Sequence, residues 1–109
     1  MDRYRSKPGK LVRDRIPQII RDDGAEPITY TAGSQEYRAR LRDKLCEEAT
    51  EVLEADDEKA PEELADVLEV VHALAADLGI NREQLEEIRE TKASERGGFA
   101  ERTVWTGNR

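Results

Sequence analysis

Apolar positions recur every three to four residues along most of this chain, which is the spacing of amphipathic helices. Leu11, Val12, Ile16, Ile19 and Ile20 follow it and predict a short first helix. The Asp14 carboxylate can cap that helix, Pro17 is tolerated in its first turn, and Gly24 suits a left-handed stop. A longer helix follows, with Ser34 as its cap. Tyr37, Leu41, Leu45, Ala49, Val52 and Leu53 line one side of it, and Asp56-Asp57-Glu58-Lys59 ends the pattern. Pro61 suits the start of the next helix, where Glu62 and Glu63 lie beside the positive end of the dipole. From Leu64 to Leu78 this helix is apolar almost all round, which predicts burial on several sides. Gly79 stops it. Asn81 caps a further helix with Gln84 in the capping-box position, and Leu85, Ile88 and Lys92 continue it. Arg96-Gly97-Gly98-Phe99 breaks the pattern.

Two stretches do not read as helix. Residues 27–31 and 102–106 are rich in β-formers and are expected to be short extended segments. The predicted architecture is all-α: a helical bundle built on two long antiparallel helices, in one domain over residues 1–109 without internal repeats.

Composition sharpens this picture. The chain has 109 residues, a formal charge of −7, 39% charged residues and 37% apolar ones. A domain of this size and polarity buries a small core. Long helices in a single copy have few neighbours, so a homodimer or homotetramer is expected to complete the bundle. No apolar run is long enough for a membrane helix. Met1 leads into Asp2-Arg3-Tyr4-Arg5 rather than an apolar stretch, so no secretory signal is expected. The single cysteine, Cys46, cannot form an internal disulfide, which points to a reducing, cytoplasmic setting. The acidic balance disfavours nucleic acid and anionic membranes as partners.

Acidic residues at helical spacing carry the candidate chemistry. Lys44, Glu47, Glu48 and Glu51 occupy neighbouring sites on one helical face. Glu63 and Asp66 are i, i+3 neighbours at the start of the most apolar helix, with Glu69 one turn on. A carboxylate pair on one helix facing such a pair on an antiparallel neighbour offers four oxygen ligands around one point. Mg²⁺ takes ligands of that kind while bridging to substrate phosphates. The competing reading is a solvated acidic face, because 25 acidic residues place some at this spacing by chance.

These residues resemble the MazG and phosphoribosyl-ATP pyrophosphohydrolase superfamily, whose members are all-α nucleoside triphosphate pyrophosphohydrolases. The superfamily pattern is E-E-x-x-E, a spacer, then E-x-x-D. Here Glu47-Glu48-x-x-Glu51 is followed, after a spacer of 11 residues, by Glu63-x-x-Asp66, which demands a tight turn. Three further blocks carry the resemblance: Lys10 to Pro17, Glu62 to Val70, and Lys92 to Phe99. Together they cover most of the chain. The true phosphoribosyl-ATP enzyme has a Ser-Tyr-Thr segment before the first acidic helix and a Tyr-His after E-x-x-D. Both are missing, and Val67-Leu68-Glu69 stands at the second position. The resemblance therefore favours the small MazG-like group that clears non-standard or surplus nucleotides.

The resemblance implies cleavage between the α and β phosphorus, giving a nucleoside monophosphate and pyrophosphate. It implies Glu48, Glu51, Glu63 and Asp66 as ligands of Mg²⁺, with Mn²⁺ as a substitute. Glu47 is then the candidate to orient or deprotonate the attacking water. Lys44, Lys92 and Arg96 are candidates for the substrate phosphates, and Lys44 also suits an ion pair with Glu48. Lys10, Arg13 and Arg15 form a basic block able to reach phosphate or a partner chain, with Arg15 read as solvated surface. Phe99, Trp105 and the three tyrosines can stack on a base or serve a core or interface, and Trp105 is expected at an oligomer edge. His72 reads as a hydrogen-bonded core residue and Cys46 as a small packing residue. Two alternatives stay open: a phosphoribosyl-ATP pyrophosphohydrolase, and a non-catalytic helical scaffolding module.

Overall fold

In a computed structural model, residues 8–109 are described and form four helices with no strand among them. Helix α1 is Ile16–Asp22, α2 is Ser34–Glu54, α3 is Ala60–Asp77 and α4 is Arg82–Arg96. The all-α expectation holds. Residues 27–31 and 102–106 are neither helical nor paired in a sheet. Tyr4 and the basic residues Arg3, Arg5 and Lys7 lie outside the described residues.

Helices α2 and α3 are the antiparallel pair. Five residues, 55–59, connect them, and the Asp56 carboxylate tightens the turn by accepting the Lys59 N–H at 2.9 Å. The opposite ends of the two helices are tied by Arg38. Its Nε donates to Asp77 Oδ2 at 2.6 Å and its Nη2 to the Asp77 carbonyl at 3.1 Å. That places a cation on the negative end of α3. Helix α4 packs on α3 and on no other helix among the described residues. Its start is the expected capping box, with Asn81 Oδ1 accepting the Gln84 N–H at 2.8 Å and Gln84 Oε1 accepting the Asn81 N–H at 2.9 Å.

Two caps differ from expectation. Helix α1 begins after Arg15, which is already in a helical conformation, and no side chain caps it. The entry is instead a backbone turn in which Ile16 N–H donates to the Arg13 carbonyl at 3.0 Å, so Asp14 has no capping role. Helix α2 is preceded by Gly33 in extended conformation, and Ser34 becomes its first helical residue. The Gly33 carbonyl accepts the Tyr37 N–H at 2.9 Å. Gly79 and Gly97 take positive φ, +82° and +81°, where the chain leaves α3 and α4.

The core of one copy is small. Among the described residues, Leu41, Val70 and Ala75 are the buried apolar ones, and Leu41 is the most enclosed at 3% exposure. The expected burial of α3 on several sides is not met within a single chain, because Leu64, Leu68 and Leu78 are each at least half exposed. Cys46 is also exposed, since it turns away from the α2–α3 seam, so it is not a packing residue. The radius of gyration is 17.8 Å, against about 13 Å for a compact chain of this length. The molecule extends over 60 × 34 × 29 Å.

Candidate metal centre

The antiparallel pairing brings Glu48 on α2 opposite Glu63 and Asp66 on α3. One carboxylate oxygen from each lies within 4.8 Å of the others. Two ionised carboxylates at that separation repel by roughly 3 kcal/mol at an effective dielectric of about 20. Among the described residues two cations, Lys44 and Arg13, offset part of this. Lys44 Nζ reaches Glu48 Oε1 at 3.5 Å. Glu48 Oε2 and Glu63 Oε2 are buried and have no hydrogen-bond partner among the described residues. A buried acceptor without a donor costs free energy, more so when it is charged.

Titration of Glu48 reflects this setting. Burial is the main cause that holds its carboxyl above the usual range. The neighbouring Glu51 carboxyl adds to the rise, and the charge of Asp66 adds a little more. Lys44 pulls in the opposite direction. Glu51 is thus a neighbour of Glu48, but it is more exposed and lies outside the tight trio.

Asp66 has a cationic partner of its own. Arg13 Nη2 donates to Asp66 Oδ1 at 2.6 Å, across 53 residues of sequence. Arg13 lies on the segment leading into α1, which crosses the α2–α3 seam. With Leu11, Lys44, Glu48, Asp66 and Val70 it lines an open cleft of about 390 Å³. A second open cleft, of about 680 Å³, shares Leu11–Asp14 and Tyr37 with the first and extends to Tyr30 and Arg40.

The other predicted site residues sit around this centre at different distances. Glu47 is half-exposed and faces cations rather than the trio, with Lys44 Nζ at 3.5 Å and Lys10 Nζ at 4.0 Å. Lys44 therefore divides its charge between Glu47 and Glu48, instead of pairing with Glu48 alone. Lys92 and Arg96 occupy the last turns of α4, exposed, and line neither cleft. His72 is half-buried, and its Nδ1 has no partner among the described residues, contrary to the hydrogen-bonded expectation. Phe99 and Trp105 are exposed, and the Trp105 indole N–H is shared by the Gly107 carbonyl at 3.0 Å and Asn108 Oδ1 at 3.1 Å.

Sequence spacing did not reveal two features. One is the Arg13–Asp66 pair, because no local rule links positions so far apart. The other is a buried network around Arg40, whose Nε donates to Glu36 Oε2 at 2.7 Å and whose Nη1 donates to the Gly9 carbonyl at 2.9 Å. Tyr30 Oη donates to the same Glu36 oxygen at 2.5 Å. The i, i+4 spacing of Glu36 and Arg40 suits a helical pair, but it carries no information about their burial.

The trio is an all-oxygen donor set with buried lone pairs facing no donor. That suits a hard divalent cation, which would reverse the local field. Comparison with known proteins agrees with this chemistry. The family model for phosphoribosyl-ATP pyrophosphohydrolase matches residues 14–93, which contain all of α1, α2 and α3 and most of α4. The chain belongs to the phosphoribosyl-ATP pyrophosphohydrolase family. This family is part of the MazG-like superfamily of all-α NTP pyrophosphohydrolases. Its activity class is hydrolysis of a phosphoric anhydride. An uncharacterized protein of Mycolicibacterium smegmatis is 49% identical over 47 residues, which make up 43% of this chain and 48% of that relative. The match thus spans about half of the relative's length. No solved structure matches the chain. No helix among the described residues is long and apolar enough to cross a membrane.

Proposed function

We propose that this family member is a Mg²⁺-dependent nucleoside triphosphate pyrophosphohydrolase, one domain over residues 1–109, that clears non-standard or surplus nucleotides in the cytoplasm. The observation that carries the reading is the convergence of Glu48, Glu63 and Asp66 with two buried carboxylate oxygens that have no donor among the described residues. A purely structural cluster would be expected to satisfy those atoms.

In this reading Glu48, Glu63 and Asp66 hold the cation, and Glu51 joins them by a rotation of its exposed side chain. Bound there, Mg²⁺ or Mn²⁺ supplies charge neutralisation for the phosphates and lowers the pKa of a nearby water. Glu47 is the proposed base. It lies between Lys10 and Lys44, and it is on the same α2 turn as Glu48. Lys44, part-buried at the cleft wall, binds a phosphate oxygen. Lys92 and Arg96 reach phosphate in an assembled oligomer, where α4 of a second copy can approach the cleft.

A second copy also answers the exposed surface. One chain exposes 9564 Å², where a compact protein of its mass exposes about 6,100 Å². Leu64 and Leu68, one turn apart on α3, are the central part of the face that a homodimer or homotetramer would cover.

The test is turnover of a panel of standard and modified nucleoside triphosphates with Mg²⁺ and Mn²⁺, with the products resolved. Monophosphate plus pyrophosphate supports the proposal. Release of single phosphate refutes it. The family description favours one other substrate, phosphoribosyl-ATP, and the panel includes it. Turnover of that compound alone would replace the nucleotide-clearing reading. A folded protein that turns over nothing and binds no cation would be a scaffolding module.

A further inference from the structure

We propose that Arg13 holds a cation's place at Asp66 in the metal-free protein, and that metal entry releases its guanidinium to the substrate phosphates. The inference rests on the metal-site reading above and concerns what one side chain does before and after loading.

The geometry has three parts. First, the Arg13–Asp66 contact is short, 2.6 Å, and joins a mobile type of side chain to a fixed helical carboxylate. It engages only one of the three clustered carboxylates, and the buried oxygens of Glu48 and Glu63 have no donor among the described residues. A single +1 group therefore stabilises the cluster incompletely, and a dication within reach of all three does better. Second, Arg13 is 55% exposed along its side chain. An exposed pair is weakly held and exchanges readily, so it can act as a counter-ion that yields rather than as a lock. Third, Arg13 lies on the wall common to both clefts, between the cluster and the larger cavity. A guanidinium released there remains beside any phosphate bound at the cluster, and its planar fork matches phosphate oxygens.

Removing Arg13 then has two opposite effects. A metal no longer competes with the guanidinium for Asp66, so it binds more tightly. An anion bound at the loaded site loses a cationic partner, so it binds less tightly. A residue that merely pins the segment before α1 would shift both affinities in the same direction, or neither.

The experiment is calorimetric titration of Mn²⁺ into wild type, Arg13→Gln and Arg13→Lys. Inorganic pyrophosphate is then titrated into the Mn²⁺-loaded proteins, and circular dichroism checks the fold. For Arg13→Gln, Mn²⁺ affinity is expected to rise roughly two- to five-fold, the range set by one exposed ion pair. Pyrophosphate affinity is expected to fall by at least as much. Arg13→Lys keeps the charge and is expected to leave Mn²⁺ affinity within about two-fold of wild type. Unchanged or weaker Mn²⁺ binding by Arg13→Gln overturns the inference while leaving the metal site standing. Unchanged pyrophosphate binding overturns the release step. Absence of Mn²⁺ binding by wild type overturns the metal-site reading and this inference together.

Discussion

Lys44 and Glu48 meet at 3.5 Å one turn apart on α2, yet the contact engages only Oε1, and Oε2 of Glu48 is buried without a donor among the described residues. The pairing lowers the carboxyl pKa less than burial and Glu51 raise it. A carboxyl whose folded pKa is raised contributes stability below its unfolded value and loses it as pH rises through the folded one. Metal-free protein should therefore lose stability from this group as pH rises through the upper carboxylate range. Glu48→Gln removes the charge and keeps the shape. It should raise the Tm of the metal-free protein at pH 7 and leave it unchanged at low pH, where Glu48 is protonated in both states. Calorimetry across pH in chelator checks this, and a lower Tm at pH 7 would contradict it.

Metal should reverse that order. Wild type should gain Tm with added Mg²⁺ or Mn²⁺, because a ligand of the native state stabilises by mass action. Glu48→Gln, Glu63→Gln and Asp66→Asn should lose most of the gain and lower turnover by at least about a hundred-fold. Each retains a side chain of the same size, so far-UV circular dichroism should be unchanged. Full metal response in Asp66→Asn would remove it from the ligand set.

The two acidic motifs and their shared face were legible in the sequence because helical spacing and a short connection leave few ways to pair α2 and α3. That pairing brings Glu48, Glu63 and Asp66 together, while Glu51 of the same motif lies outside the trio. The capping box at Asn81 and the stops at Gly79 and Gly97 were legible for the same local reason. Less visible were contacts that depend on where the segment before α1 crosses the bundle. Arg13 meets Asp66, and Arg40 reaches the Gly9 carbonyl, only because that segment folds back over α2. Asp14 and Ser34 look like caps by residue type, but the backbone at Arg15 and Gly33 takes those positions. The apolar girth of α3 reads as full burial, and a single chain has too few helices to provide it.

The Arg40 network gives the crossing segment its attachment. Arg40 and Glu36 are both nearly enclosed, with side-chain exposures of 9% and 12%. Removing the guanidinium takes one of the donors from Glu36, which keeps the Tyr30 hydroxyl. Arg40→Ala should therefore lower stability in urea unfolding without abolishing the fold. It also deletes a donor to the Gly9 carbonyl, so amide exchange at residues 10–13 should accelerate relative to α3. Unaltered exchange there would mean the segment is held by its apolar contacts alone.

Leu64 and Leu68 test whether the assembly is real. They are 55% and 54% exposed on the most apolar helix of a chain that carries a charge of −7. Burying a leucine side chain is worth about 1.5–3 kcal/mol, so a symmetric contact that repeats both residues gains a substantial part of its energy from them. The protein should therefore run above its 12.4 kDa chain mass in light scattering at micromolar concentration. Leu68→Glu adds a charge at the centre of that contact and should shift the mass toward a single chain and lower the Tm. Because Leu68 belongs to neither cleft, Mn²⁺ binding by the separated chain should persist, whereas turnover should fall if Lys92 and Arg96 act from the second copy. A wild type that is monomeric at that concentration would instead leave α3 exposed in solution and rule out both the assembly and the shared site.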